Sequence, residues 1–287
     1  MIFKPRKAPL LTSNEANQIL KALDKAPTKF SLSLDLGLSQ DEILIEKERI
    51  LLPSGQTIDI SFIKKIAKKT RTIFFLENKQ ILKATIARKH FYKLVPTKFG
   101  HPPTLEIDGI HMHRVKDVLP DEDAKIKIKI INPKPSSIGL DIGTGLGYTA
   151  IQAIKFGAGK VITIEKDPIV LEMAQLNPWS HELSNNKIEI IIGDAVAKVE
   201  NFENNFFNFI IHDPPRFGLA GELYSREFYQ KLFRILKPNC KLFHYIGAPG
   251  AKYRRKNIVA GVIKRLKNTG FKVRKEPSAL GILAIKP

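Results

Sequence analysis

The feature that most constrains this chain is a series of evenly spaced apolar runs in its second half, the first of which ends in a glycine-rich turn. The runs are Ile138-Gly-Leu-Asp, Lys160-Val-Ile-Thr-Ile-Glu, Lys187-Ile-Glu-Ile-Ile-Ile-Gly-Asp, Phe207-Asn-Phe-Ile-Ile-His-Asp and Lys241-Leu-Phe-His-Tyr-Ile-Gly. Amphipathic stretches at 148–156, 168–176, 221–236 and 257–268 separate them. Strand-like runs alternating with helices predict an α/β fold around a mostly parallel sheet, because parallel neighbours need a crossover and the crossover is usually a helix. Two last runs, Phe271-Lys-Val-Arg-Lys and Gly281-Ile-Leu-Ala-Ile-Lys, lie close enough to pair as a hairpin. The sheet is therefore expected to close with an antiparallel edge.

Upstream the texture changes. Phe30-Ser-Leu-Ser-Leu-Asp-Leu and Glu42-Ile-Leu-Ile-Glu-Lys-Glu-Arg-Ile-Leu-Leu alternate apolar with polar residues, and Pro53-Ser-Gly55 supplies a turn between strand-like runs. A short helix over 60–69 precedes two more strand-like runs, 72–76 and 81–86. These features predict a smaller, mainly β N-terminal domain. Pro120, Pro133 and Pro135 bracket Asp121-Glu-Asp and Lys125-Ile-Lys-Ile-Lys-Ile, and the joint is placed there. Residues 1–130 then form the N-terminal domain and 131–287 the α/β domain. The chain has 287 residues, 43% of them apolar, which is enough for two cores.

The formal charge of +19 points to a polyanionic partner, RNA first. It is not a detached tail, since 24 basic and 15 acidic side chains lie in residues 1–130 and 23 and 13 in the rest. Two stretches concentrate it. Residues 64–93 hold ten basic side chains against Glu77, interleaved with Phe74, Phe75, Phe91 and Tyr92. Residues 252–275 hold ten and no acid, opening with Lys252, Tyr253, Arg254 and Arg255 where a substrate loop is expected. No apolar run approaches the ~18 residues of a membrane helix, and the start of the chain lacks the apolar stretch of a secretory signal. A cytoplasmic protein with no membrane partner is expected. The lone Cys240 excludes an internal disulfide and a cysteine-built zinc site, and His111 and His113 share a strand face without a third ligand. No metal is expected.

The turn Asp141-Ile-Gly143-Thr-Gly145-Leu-Gly147 sits directly after a strand and opens a helix, and its glycines let backbone approach a ligand closely. An acid two residues before the first glycine offers a carboxylate to a cationic group. S-adenosyl-L-methionine (SAM), with an ammonium, a sulfonium and no phosphate, suits such a turn better than a pyrophosphate does. Glu165 ends the second strand, 24 residues after Asp141, where it can accept from ribose hydroxyls. Asp194 ends the third, where it can take the adenine amine or act as a helix N-cap.

With Asp141, Gly143, Gly145, Gly147, Glu165 and Asp194 in order, residues 136–287 resemble the class I SAM-dependent methyltransferases. The resemblance implies a doubly wound, seven-stranded sheet with SAM across the carboxyl ends of its first strands. It extends upstream to Ile107-Asp-Gly-Ile-His-Met-His-Arg114, toward a set of largely uncharacterised archaeal methyltransferases.

The fourth strand ends in His212-Asp213-Pro214-Pro215-Arg216-Phe217, which resembles the amino-directed nucleic-acid methyltransferases. Their Asp-Pro-Pro-aromatic motif holds an exocyclic base amine, a poor nucleophile whose protons must be accepted as it attacks. By that resemblance Asp213 is the acceptor, and Pro214 and Pro215 fix the turn. Arg216 stands where the aromatic belongs, with Phe217 beside it; together with Lys252, Arg254 and Arg255 they are expected to meet substrate. The expected function is SAM-dependent RNA methylation at an exocyclic amine, cytosine N4 of ribosomal RNA first and transfer RNA second. The alternatives are an aminopropyltransferase of the polyamine type, a protein methyltransferase and a SAM-binding assembly factor without turnover. The basic balance argues against the polyamine type, which needs acids to hold a polycation.

Overall fold

The structure, a computed structural model, describes the chain apart from residues 24–27, 47 and 248–251 and the side chains of 252–257. It divides into two compact units. One comprises Lys4–Asp121 with Glu172–His181, the other Met1–Phe3, Glu122–Leu171 and Glu182–Pro287.

The first unit contains strands β1 (Leu10–Leu11), β2 (Lys29–Leu32), β3 (Asp41–Ile45), β4 (Arg49–Leu51), β5 (Thr57–Asp59), β6 (Phe74–Glu77), β7 (Gln80–Lys83), β8 (Thr85–Ala87), β9 (Phe91–Val95), β10 (Thr104–Ile107) and β11 (Ile110–His111), with helices α1 (Ser13–Leu23) and α2 (Ile60–Ala67). Its strands form three small sheets, ordered β1-β6-β7, β2-β3-β4-β5 and β11-β10-β9-β8. The region is mainly β, as expected. Helix α1 is the addition. Thr12 and Glu15 form a capping box, the Thr12 amide donating to Glu15 Oε2 at 2.7 Å, and Ala16, Ile19 and Ala22 face the core.

The rest of the chain forms α3 (Pro120–Ile131), β12 (Ile138–Ile142), α4 (Tyr148–Lys155), β13 (Lys160–Glu165), α5 (Pro168–Gln175), β14 (Ile188–Ile192), α6 (Ala195–Lys198), β15 (Phe207–His212), α7 (Arg226–Ile235), β16 (Leu236–Tyr245), α8 (Lys252–Thr269), β17 (Lys272–Glu276) and β18 (Gly281–Ile285). Seven strands make one Rossmann-like sheet in the order β14-β13-β12-β15-β16-β18-β17. Its central strands are covered on both faces and therefore read as near-continuous apolar runs. Between them and the helices lies a core that includes Leu140, Ile162, Phe207, Ile210, Phe228 and Leu232. Full burial contributes about 1.5–3 kcal/mol for each such side chain. Helix α7 shows the local logic: the Ser225 hydroxyl accepts from the Phe228 amide at 3.0 Å, and Phe228, Tyr229, Leu232 and Ile235 form one buried stripe.

The Lys-Ile alternation before residue 131 belongs to helix α3, whose buried residues Asp123, Ala124, Lys127, Ile128 and Ile131 follow helical spacing. The expected hairpin closes the sheet, β17 and β18 pairing antiparallel at its edge. β18 lies between β16 and β17 and runs antiparallel to both, so β17 at the edge is parallel to the rest. Helix α8 carries the chain across and sets β17 one place out, and the return strand fills the gap. Among the described residues no helix is long and apolar enough to cross a membrane.

The order places β12 and β15 side by side although β13 and β14 intervene in the chain. This is the switch point of an open α/β sheet, where adjacent connections leave in opposite directions and open a crevice at the carboxyl ends.

Candidate active site

At that crevice the turn after β12 runs through Gly143, Gly145 and Gly147 with φ of 90°, 54° and 80°. Glycine at 143 is dictated by proximity as well as by φ, since a Cβ there would stand 2.8 Å from the carbonyl oxygen of Asp213. The Asp213 amide also donates to the Ile142 carbonyl at 3.2 Å. The glycine turn and the start of the 213–224 loop are thus held backbone to backbone.

Asp141, expected to offer its carboxylate to a cationic group, is turned into the protein. It is 1% exposed, and its two oxygens accept from the hydroxyls of Thr149 at 2.9 Å and Thr163 at 2.8 Å. Strand alternation explains this: Asp141 pairs with Thr163 across β12 and β13, and both side chains point to the face covered by α4. Burial pushes its carboxyl up to about 7, although both hydroxyls act in the opposite direction. Asp141 shapes the turn from beneath.

Glu165 ends β13 and ties two loops together. Its Oε2 accepts from the Gly145 amide and its Oε1 from the Asp167 amide, both at 3.0 Å, and burial raises its pKa. Asp194 ends β14 as the N-cap of α6, Oδ1 accepting from the Val196 amide at 2.8 Å and Oδ2 pairing with Lys166 Nζ at 2.7 Å. The Lys166 ammonium holds its carboxyl below the usual range.

Asp213 follows β15. Its Oδ2 receives Lys127 Nζ at 2.6 Å, while Lys127 also reaches Asp123 Oδ2 at 2.7 Å and lies 4.4 Å from the centre of the Tyr245 ring. Burial works against the Lys127 charge, but the two carboxylates outweigh it and its pKa is raised. Asp213 keeps a quarter of its side chain exposed, and Oδ1 has no hydrogen-bond partner among the described residues. Desolvation raises its carboxyl despite Lys127. A carboxylate anchored through one oxygen and unoccupied at the other can take a proton from an incoming group.

The loop after Asp213 is pinned from behind. The Tyr224 hydroxyl donates to the Pro215 carbonyl at 2.9 Å, and His212 Nε2 meets the Leu223 carbonyl at 2.8 Å. The Pro215 carbonyl is therefore already engaged. Burial lowers His212 to about 4, so it is neutral and can donate through Nε2. Arg216 is exposed, as is Phe217, whose ring packs edge-on against Tyr224 at 5.4 Å. Lys252, Arg254 and Arg255 start α8, and their side chains lie outside the described residues.

The structure thus brings together the glycine turn, Glu165, Asp194 and Asp213 at successive strand ends. Lys127, Asp123, Thr149, Thr163 and Tyr224 were not anticipated. The only local signal was the Asp123-to-Lys127 spacing, one helical turn. Trp179 donates to the Leu36 carbonyl at 3.2 Å within the N-terminal unit, and Cys240 lies partly exposed in β16. His111 pairs with Glu106 at 3.1 Å beside Arg71. Among the described residues no group of three or more metal-ligating side chains is assembled.

Comparison with known proteins defines the family. Residues 131–277 match the spermine/spermidine synthase domain. An uncharacterised protein of Methanocaldococcus jannaschii is 47% identical over 284 residues, 96% of this chain and 95% of its own. A polyamine aminopropyltransferase of Prochlorococcus marinus is 30% identical over 207 residues, 70% of each chain. A spermidine synthase crystallised with the transition-state analogue AdoDATO shares the fold, with a TM-score of 0.56 at 21% identity over 70% of this chain and 71% of that one.

These findings correct the expectation of an RNA amino-methyltransferase. The glycine turn and the strand-end acids suit any adenosyl sulfonium, and an Asp-Pro turn at the fourth strand does not identify which carbon is transferred. The charge argument against the polyamine type also fails, because +19 describes the whole surface while Asp123, Asp141, Glu165, Asp194 and Asp213 gather acid locally. The chain belongs to the spermine/spermidine synthase domain family.

Proposed function

We propose that the chain is an aminopropyltransferase that moves the aminopropyl group of decarboxylated SAM to an amine nitrogen. The carrying observation is that the family match, residues 131–277, contains the switch-point crevice and its half-occupied carboxylate, Asp213. The donor supplies a carbon activated by a sulfonium. The glycine turn, where a Cβ would fill the approach, suits its adenosyl part. Glu165 has lone pairs left for ribose hydroxyls, and Asp194 lies at the next strand end, toward adenine.

Asp213 acts on the acceptor. As the nitrogen lone pair forms the N–C bond, the C–S bond breaks with its electrons going to sulfur, and 5′-methylthioadenosine leaves. The nitrogen becomes cationic and gives its proton to Asp213 Oδ1, from which it passes to solvent. Pro214 and Pro215 hold the turn, Tyr224 steadies it, and Arg216 and Phe217 stand where an acceptor enters. Asp213→Asn keeps the shape and removes the proton acceptor, so turnover is expected to fall roughly 10²–10⁴-fold with methylthioadenosine affinity unchanged. Unchanged turnover would remove Asp213 from the reaction.

A second reading concerns the partner. The exposed face of the β11-β10-β9-β8 sheet carries Phe91, 46% exposed, with Lys93 on the same face and Arg71 over Glu106. A cationic face with an open aromatic ring suits nucleic acid, RNA first, and such binding weakens steeply with salt. Retention of RNA that is insensitive to K93A/R71A counts against it.

A further inference from the structure

Asp213 leaves β15 through a peptide unit that is held at both ends. Its amide donates to the Ile142 carbonyl at 3.2 Å, and the other half of the same peptide, the His212 carbonyl, accepts from His244 Nδ1 at 3.3 Å. The peptide is planar, so its orientation sets the Asp213 backbone and the direction in which Oδ1 is presented. His244 is fully buried and pairs directly with His212 across β15 and β16. Its Nε2 meets the Tyr229 hydroxyl of α7 at 2.9 Å, and Arg265 of α8 hydrogen-bonds that hydroxyl in turn. We infer that Arg265, Tyr229 and His244 form a one-way hydrogen-bond relay ending on the peptide before Asp213, which makes His244 a positioning residue for the proton acceptor.

The donor inventory fixes the direction. An arginine only donates, so the Tyr229 oxygen accepts from Arg265 and directs its own proton to His244 Nε2. A backbone carbonyl only accepts, so His244 carries its proton on Nδ1. Burial keeps this ring neutral, the Arg265 charge acts the same way, and a neutral imidazole has one proton to place. His212, whose ring centre is 4.4 Å away, is set the opposite way. Its Nε2 donates to the Leu223 carbonyl, and its buried Nδ1 has no partner among the described residues. The two neighbouring imidazoles therefore hold opposite tautomers, each aimed at a backbone carbonyl at one end of the 213–223 segment. Apolar side chains of the same volume would fill the space but leave both peptide planes unheld.

The effect on turnover rests on the aminopropyl-transfer reading, whereas the relay itself does not, and two measurements keep them apart. Long-range proton–nitrogen NMR of the nitrogen-15-labelled full-length protein reads each imidazole, with H244N and H212N assigning the signals. His244 protonated on Nδ1 and His212 protonated on Nε2 are expected. His244 protonated on Nε2, or averaging between tautomers, overturns the inference. Turnover of decarboxylated SAM with 1,4-diaminobutane then compares H244N with H244F. Asparagine keeps a donor where Nδ1 stood, and phenylalanine keeps the ring volume without one. H244F is expected to turn over at least roughly tenfold more slowly than H244N, with KM for the donor and methylthioadenosine affinity equal, because small misplacements of a reacting group are costly. Equal rates, or a faster H244F, as packing alone requires, overturn it. Should H244F lose its melting transition, the tautomers of the natural chain decide. Absence of turnover in the natural chain counts against the aminopropyl-transfer reading, and the tautomers still decide the relay.

Discussion

Gly143→Ala tests the physical link between the glycine turn and Asp213. Two costs are expected. A non-glycine residue at φ of 90° is strained by roughly 1–2 kcal/mol. The new Cβ would also sit 2.8 Å from the Asp213 carbonyl oxygen, and neither backbone can move without dragging a strand end, an overpacking cost of about 1–3 kcal/mol. Gly157→Ala is the control, because Gly157 has φ of 101° but open space where its Cβ would go. It bears the backbone cost alone. At about 2–4 °C per kcal/mol for a chain of this size, G143A is expected to melt roughly 2–12 °C below G157A. Calorimetry gives the stabilities and titration with methylthioadenosine the binding, which G143A should weaken and G157A should leave intact. Equal melting and equal affinity of the two variants would show that the turn and the Asp213 backbone are not in contact, and the site geometry would be wrong.

Two further perturbations follow from buried groups. With its carboxyl raised to about 7 in the fold against ~3.9 unfolded, Asp141 contributes stability that is complete below pH ~4 and is lost as pH rises toward 7, up to about 4 kcal/mol. D141N, isosteric and without a titrating group, should gain stability relative to the natural chain across that window, read from denaturant midpoints at pH 4.5 and 7.5; a constant difference contradicts it. Lys286 Nζ donates to the carbonyls of Phe233 and Leu236 and to Asn205 Oδ1, each at 2.7 Å. K286M leaves those carbonyls without a donor and should cost roughly 2–4 kcal/mol in chemical unfolding with nucleoside affinity retained.

The parallel sheet was legible because buried central strands are written as apolar runs and their crossovers as amphipathic stretches. The glycine turn and the acids at 165, 194 and 213 were legible because a switch-point crevice places ligand groups at strand ends. Lys127 was not, because a buried lysine is defined by its partners, and Asp213 lies 86 residues away. Its Lys-Ile setting imitates a two-residue period, which hid helix α3. The direction of Asp141 depends on which sheet face α4 covers, a tertiary fact. The transferred group was misread because methyl and aminopropyl donors share the same adenosyl sulfonium, and whole-chain charge does not report the field inside one crevice.

The most direct test of the central claim is mass spectrometry of methylthioadenosine released when the purified protein meets decarboxylated SAM and a pool of small amines, with SAM as the parallel donor. Amine-dependent release from decarboxylated SAM, together with an aminopropylated amine, none of it from SAM, and its loss in D213N are the predicted results. Methyl transfer from SAM, with decarboxylated SAM left intact, would contradict the account.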